Sequence, residues 1–267
     1  MSTFEVKTQT EIDALNLDPG AKGRAYFNDT TSSIIAWDGT TWRAYASDGI
    51  PFGANAYSLE FDGTNNYIDL SSNVSISGAF SISLWVYPDD IAGYLILGST
   101  STDNIFIYAN SSGTLSFRGG TGFTTNVTSA TSLTAGSWQH VVITRDAGLN
   151  YTFYRNKTSN AVTGTTSTDS DIAFNRIGAN ATVQFGTFDG KMDDLAFYNK
   201  ELSAAEVASI YDNNLHASGL VASYRFEEGS GTSLSEKLGS NDGTLTNFPA
   251  SPSPWRAKSD NSTNTPY

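Results

Sequence analysis

The sequence contains no cysteine, which excludes disulfides and thiolate-bound zinc. Histidine is almost as scarce, with two in 267 residues. Basic residues are few: 15 Lys and Arg stand against 27 Asp and Glu, giving a formal net charge of −12 and a pI of 4.4. Phosphate backbones repel such a surface, which argues against a nucleic-acid partner. No segment is apolar enough to span a bilayer, so membrane insertion is not expected. Met1 to Asp18 lacks the basic start and apolar core of a signal peptide, so synthesis in a host cytoplasm is expected. A large cysteine-free domain outside a cell points to a bacterial or viral source, and release on a virus particle is a route that needs no leader.

What is present is uncharged and polar. Charged residues make up 16% and aromatics 12%. Abundant Ser, Thr, Asn and Gly suit strands joined by turns. The length allows one large β-sandwich and a small extra module.

Patterning divides the chain into residues 1–50, 56–255 and 256–267. Glu11, Ala14 and Leu15 suggest a brief helix or turn. Tyr26-Phe27, Ile34 to Trp37, and Trp42 to Tyr45 read as a three-strand meander with turns at 28–33 and at Asp38-Gly39. Three short strands cannot bury a core alone, so this module is expected to dock on something. From Ala56 onward, apolar and polar residues alternate, most clearly in Phe80 to Pro88. Further strands are expected at 93–98, 104–109, 114–118, 138–145, 150–155, 172–178, 191–198 and 220–226, with a short one near 244–247. One helix is expected at 203–212, where Ser203 and Glu206 have capping-box spacing. Residues 256–267 are expected to be a mobile tail.

The blocks SLEFDGTNNYIDL (58–70), FSISLWVYP (80–88), SWQHVVITRDAG (137–148), YTFYRN (151–156) and IGAN (177–180) resemble a laminin-G-like, concanavalin A-like jelly-roll domain. The segment FGTFDGKMDDLAFYNKELSAAEVASIY (185–211) resembles its closing strand and helix. The resemblance implies an all-β, antiparallel jelly-roll sandwich with one short helix, preceded here by a small N-terminal β module. Residues 23–47, with Gly-x-x-Tyr-Phe and then Trp-Asp-Gly-x-x-Trp, resemble a short motif of phage virion proteins. That resemblance implies a non-enzymatic bacteriophage structural protein: a capsid decoration, head fibre or tail-associated adhesin. Its partners would be other virion proteins, held through the N-terminal module, and host surface glycans; a homo-oligomer is expected. The alternative is a bacterial carbohydrate-binding module, and behind it a glycan-cleaving enzyme of the same fold.

Candidate residues follow from these readings. Tyr26, Phe27, Trp37 and Trp42 are the candidate attachment interface, because large aromatics dominate interface energies. The fold resemblance implies a structural calcium ion held by Asp62, Asp193 and Asp194. The other reading is that Asp193 accepts backbone N–H bonds or pairs with Arg145 or Lys191. Adjacent strand positions would send Asp193 and Asp194 to opposite faces, with Asp193 on the side of Leu195 and Phe197. His140 has no second His or Cys near it in sequence and reads as structural, and His216 has no visible partner. No catalytic residue is expected: the E-x-D-x-E run of the related glucanases is missing, as are G-x-S-x-G, P-loop and H-E-x-x-H motifs. Tyr94, Tyr108, Phe123, Tyr151 and Tyr154 are candidate sugar platforms or core residues, and the sequence does not choose between these roles.

Overall fold

A computed structural model describes residues 56–257, apart from 92, 103, 120–125, 161, 164–170, 183–185, 213–217 and 240. Before residue 56 it describes the backbone of four strands. The chain separates into two compact units, 1–54 with 208–218, and 55–207 with 219–267.

In the first unit, β1 (Glu5–Lys7), β2 (Ala25–Asn28), β3 (Ser33–Trp37) and β4 (Trp42–Tyr45) form one sheet in that order. The meander expected from the sequence is β2-β3-β4. The sheet has a fourth member, because β1 pairs in parallel with β2. A parallel neighbour needs no hairpin turn, so no turn signal marks it. The helix or turn expected around residues 11–15 lies outside the described residues.

The second unit is built from two antiparallel sheets. Its strands are β5 (Tyr57–Asp62), β6 (Tyr67–Ile76), β7 (Phe80–Pro88), β8 (Tyr94–Gly98), β9 (Ile105–Ala109), β10 (Thr114–Gly119), β11 (Val127–Ser132), β12 (Gln139–Arg145), β13 (Tyr151–Arg155), β14 (Thr158–Asn160), β15 (Val162–Thr163), β16 (Ile172–Ile177), β17 (Asp189–Tyr198), β18 (Leu220–Tyr224), β19 (Ser233–Leu234), β20 (Gly243–Thr246) and β21 (Trp255–Ala257). One sheet runs β15-β11-β10-β9-β8-β16-β6-β20-β19. The other runs β14-β13-β12-β7-β17-β5-β21, with β18 also on β17. This is the expected sandwich. The last strand is an addition: Trp255 to Ala257 pair with Leu59 to Tyr57, so Arg256 and Ala257 are strand residues rather than tail.

The core forms where alternating side chains of both sheets meet. Phe61, Phe80, Phe117, Phe153, Phe174, Phe188 and Phe197 are sealed from water, each at 1% exposure or less. Burying each such side chain is worth roughly 1.5–3 kcal/mol. The eight-stranded sheet is covered on its other side too. Ser81 there accepts the Leu202 N–H at 2.9 Å and donates to the Lys200 carbonyl at 2.8 Å, fixing the chain that leads into α1 (Ala204–Tyr211). The capping box is formed: Ser203 N–H donates to Glu206 Oε2 at 2.8 Å, and Glu206 N–H donates to Ser203 Oγ at 3.3 Å.

One edge of β17 is shared by two strands. β5 pairs with Asp189 to Met192, and β18 pairs with Leu195 to Tyr198. The handover falls at Asp193-Asp194. There the register to β7 shifts and Asp194 adopts a left-handed conformation with φ 44°. Such a conformation is rare for a side chain larger than Gly and is tolerated best by Asn and Asp.

Candidate functional site

At one end of the sandwich, the turn after β5, the ends of β7 and β17, and the Pro249 to Arg256 segment enclose a cleft of about 220 Å³. Its polar lining is Glu60, Asp62, Asn66, Asp89, Asp189 and Arg256. Phe61, Pro249, Pro252 and Pro254 supply the apolar walls.

Local bonding fixes these groups. Asp62 Oδ1 accepts the N–H groups of Thr64 (2.9 Å) and Asn65 (3.3 Å), closing the turn at its own strand end. Gly63 adopts φ +66°, and a Cβ there would come within 2.8 Å of the Asp189 side chain. Asn66 is buried; its Nδ2 donates to the Asn247 carbonyl at 3.0 Å, which ties the turn to the chain beyond β20. Glu60 and Arg256 form an ion pair on the opposite wall.

The carboxylates form a field. Burial raises the pKa of Asp189, and the charges of Asp90, Asp89 and Asp62 raise it further. Tyr94, on another strand, is pushed up by burial and then by Asp90, Asp189 and Asp89. Besides Arg256, which is paired with Glu60, a second cation reaches this field: Lys191 Nζ lies 3.8 Å from Asp89 Oδ1 and 4.1 Å from the centre of the Tyr87 ring. Tyr87 meets Trp138 edge to face, with centroids 5.6 Å apart, and both rings are half-buried. Acceptors, a cation and an aromatic pair therefore lie together at this end of the fold.

The calcium set expected from the sequence does not assemble as one site. Asp62 stands opposite Asp189, and Asp193 lies four residues further along β17. At ~3.4 Å per residue that is roughly 13 Å, whereas oxygens sharing one calcium ion lie within about 5 Å. Asp193 is fully buried, and its Oδ1 accepts the Asp194 N–H at 2.9 Å. Asp194 Oδ1 lies 3.7 Å from Arg225 Nε. Among the described residues, no three His, Cys, Asp or Glu side chains converge to hold a metal ion.

His140 is hydrogen-bonded to Ser83, with Nε2 and Oγ 2.8 Å apart, and leans on Trp85 at 5.1 Å. Both members of the pair are sealed, at 0% and 1% exposure. Burial drives the imidazole pKa down to about 3, which keeps it neutral. A Ser–His pair without solvent access cannot meet a substrate, so this one holds strands β7 and β12 together. His216 lies outside the described residues.

In the first unit, Tyr26 pairs with Ile35, Phe27 with Ile34 and Trp37 with Trp42. All four attachment candidates lie on strands of this sheet. Among the sugar-platform candidates, Tyr94 and Tyr151 are core residues, Tyr108 and Tyr154 are half-buried, and Phe123 lies outside the described residues. Tyr87, Asp89, Trp138 and the Asp189 carboxylate were not marked as a site by the sequence. Only strand register gathers them.

Residues 62–208 match the concanavalin A-like lectin/glucanases superfamily. No curated protein matches the sequence significantly. Among solved structures, the chain is similar to a Bacteroides ovatus protein whose suggested role is carbohydrate binding. The TM-score is 0.56 at 17% identity, covering 84% of this chain and 68% of that one. It is also similar to a heptameric SAP-like pentraxin from Limulus polyphemus, at TM-score 0.49 and 16% identity, covering 71% and 95%. A third is domain 4 of an extracellular arabinanase from Geobacillus stearothermophilus, solved with arabinotriose, at TM-score 0.44 and 20% identity, covering 58% and 76%.

Proposed function

Since the chain belongs to the concanavalin A-like lectin/glucanases superfamily, we propose that it is a non-enzymatic, glycan-binding structural protein of a virus particle. The sandwich grips a sugar at the cleft end, and residues 1–50 fix the protein to its neighbours. The observation that carries the sugar reading is the meeting of Asp89, Asp189, Lys191, Tyr87 and Trp138 at one end of the fold. Carboxylates accept from sugar hydroxyls, an ammonium donates to them, and an aromatic face covers the C–H side of a pyranose ring. A cleft below the ~300 Å³ usual for drug-sized ligands suits one sugar residue at the end of a longer glycan. The virion reading is supported by the segment at 23–47, with its Gly-x-x-Tyr-Phe and Trp-Asp-Gly-x-x-Trp pattern.

One observation favours a second reading, glycan cleavage: the pKa of Asp189 is raised by burial and by three neighbouring carboxyl groups, the direction a general acid needs. Against it, Asp62 is committed to its own turn.

A glycan array probed with the full chain, Trp138→Ala and Asp189→Asn tests the proposal. The expected result is binding to at least one glycan, weakened tenfold or more by Trp138→Ala, with the glycan recovered uncut. If the native chain retains no glycan, the binding reading is wrong; release of a shortened glycan would favour the enzyme.

A further inference from the structure

The cleft is one end of a longer surface. Glu60 on β5 stands opposite Lys191 on β17, and Lys191 stands opposite Tyr87 on β7. Their chain neighbours Leu59, Phe61, Met192 and Val86 are core residues, so strand alternation turns all three outward on one face of the eight-stranded sheet. Trp138, the residue before β12, continues the row through its edge-to-face contact with Tyr87 at 5.6 Å. A second row runs beside the first, on the rim. Asp62 stands opposite Asp189, and Asp89 N–H donates to the Asp189 carbonyl at 3.1 Å. Lys191 links the two rows, with its Nζ 4.1 Å from the Tyr87 ring centre and 3.8 Å from Asp89 Oδ1. From β5 to β12 there are three strand steps, about 14 Å at ~4.8 Å each.

Two features limit what can lie along this row. Glu60, Tyr87 and Trp138 are half-buried, so each keeps a side open to a ligand. The charge is uneven: Arg256 pairs with Glu60 and Lys191 with Asp89, which leaves Asp62 and Asp189 as excess negative charge. An anionic ligand would meet like charges and desolvate them without pairing them. Hydroxyl groups suit the row better, since they donate to carboxylates and accept from an ammonium.

We propose that the row is a path for a linear, uncharged glycan lying across the strands. Its terminal residue sits in the cleft, the next lies over Lys191 and Tyr87, and the third lies against Trp138. A pyranose unit covers roughly one strand spacing of ~4.8 Å, so three units fill the path. The path rests on the glycan-binding reading and adds the length and the charge of the glycan to it.

The test is calorimetric titration of the full chain with oligosaccharides of one to five residues. The probes are β-1,4-linked glucose, mannose and galactose, with β-1,4-linked mannuronate as the anionic series. Affinity for at least one neutral series should rise about tenfold or more from one residue to three, then level off. Mannuronate should bind at least about tenfold more weakly than that series. Trp138→Ala should bring the trimer down to the affinity of the dimer and leave the dimer unchanged. Equal affinity for one residue and three would overturn the path while leaving a single-sugar cleft. Tighter binding of mannuronate would overturn the selection against charge, and an equal loss at every length in Trp138→Ala would overturn its place at the third residue. No binding in any series would overturn the path together with the glycan-binding reading.

Discussion

Asp62 and Asp189 stand directly opposite each other across the β5–β17 ladder. Like charges in that relation are destabilising, and here Asp89 and Asp90 add to the repulsion on Asp189. The fold keeps four acids at one end of the sandwich at a cost to its own stability. Such a cost is expected where a surface is shaped for a ligand.

Asp189→Asn should therefore stabilise the protein while weakening sugar binding. At pH 7 the gain is about 0.2–1 kcal/mol, the scale of one cross-strand charge pair. The sign follows from the raised pKa: ionised Asp189 disfavours the folded state, and protonation removes the penalty. The gain should fade as pH falls to the ordinary Asp range, near ~3.9. Melting curves at pH 7 and pH 4 check both parts.

The Ser83–His140 pair gives the opposite pH dependence. The folded-state pKa of His140 is depressed by burial, so its contribution is intact above the unfolded value and is lost as pH falls from about 6.5 toward the folded one. His140→Ala should cost roughly 2–4 kcal/mol, from the cavity and from the orphaned Ser83 hydroxyl, and should flatten the acid limb. Chemical denaturation of both proteins across pH 4 to 7.5 measures it.

Gly190 should not tolerate a side chain. It adopts φ +129°, and a Cβ would lie 2.1 Å from the Tyr87 carbonyl oxygen. Gly190→Ala should cost about 3 kcal/mol or more, through strain and overpacking. Because Gly190 lies between Asp189 and Lys191, the same change should distort the cleft. Comparing thermal unfolding with glycan retention separates the two effects.

The proposed virion role predicts that removing residues 1–50 leaves a soluble, folded sandwich that no longer joins a particle. Near-native melting of the shortened chain with loss from purified particles is the expected pair of results. Unfolding of the shortened chain would show that these residues complete the sandwich core.

Much of this fold was legible because its signals are local. Alternation marked Phe80 to Pro88 and most inner strands, and Ser203 with Glu206 marked the helix start. β21 was hidden by the prolines before Trp255, and β11 by a run of small polar residues. Asp193 and Asp194 show a different limit. Strict alternation would send them to opposite faces, but the register shift and the left-handed Asp194 interrupt it. The cleft was hidden for a third reason: Asp62, Asp89 and Asp189 are distant in sequence and are gathered by strand pairing.

The most direct measurement is an NMR footprint of the full chain titrated with the glycan retained on the array. The account predicts shifts confined to Asn66, Tyr87, Asp89, the Trp138 indole, Asp189 and Lys191. Shifts centred elsewhere, such as around Ser203 and α1, would contradict it and place the binding surface on another part of the sandwich.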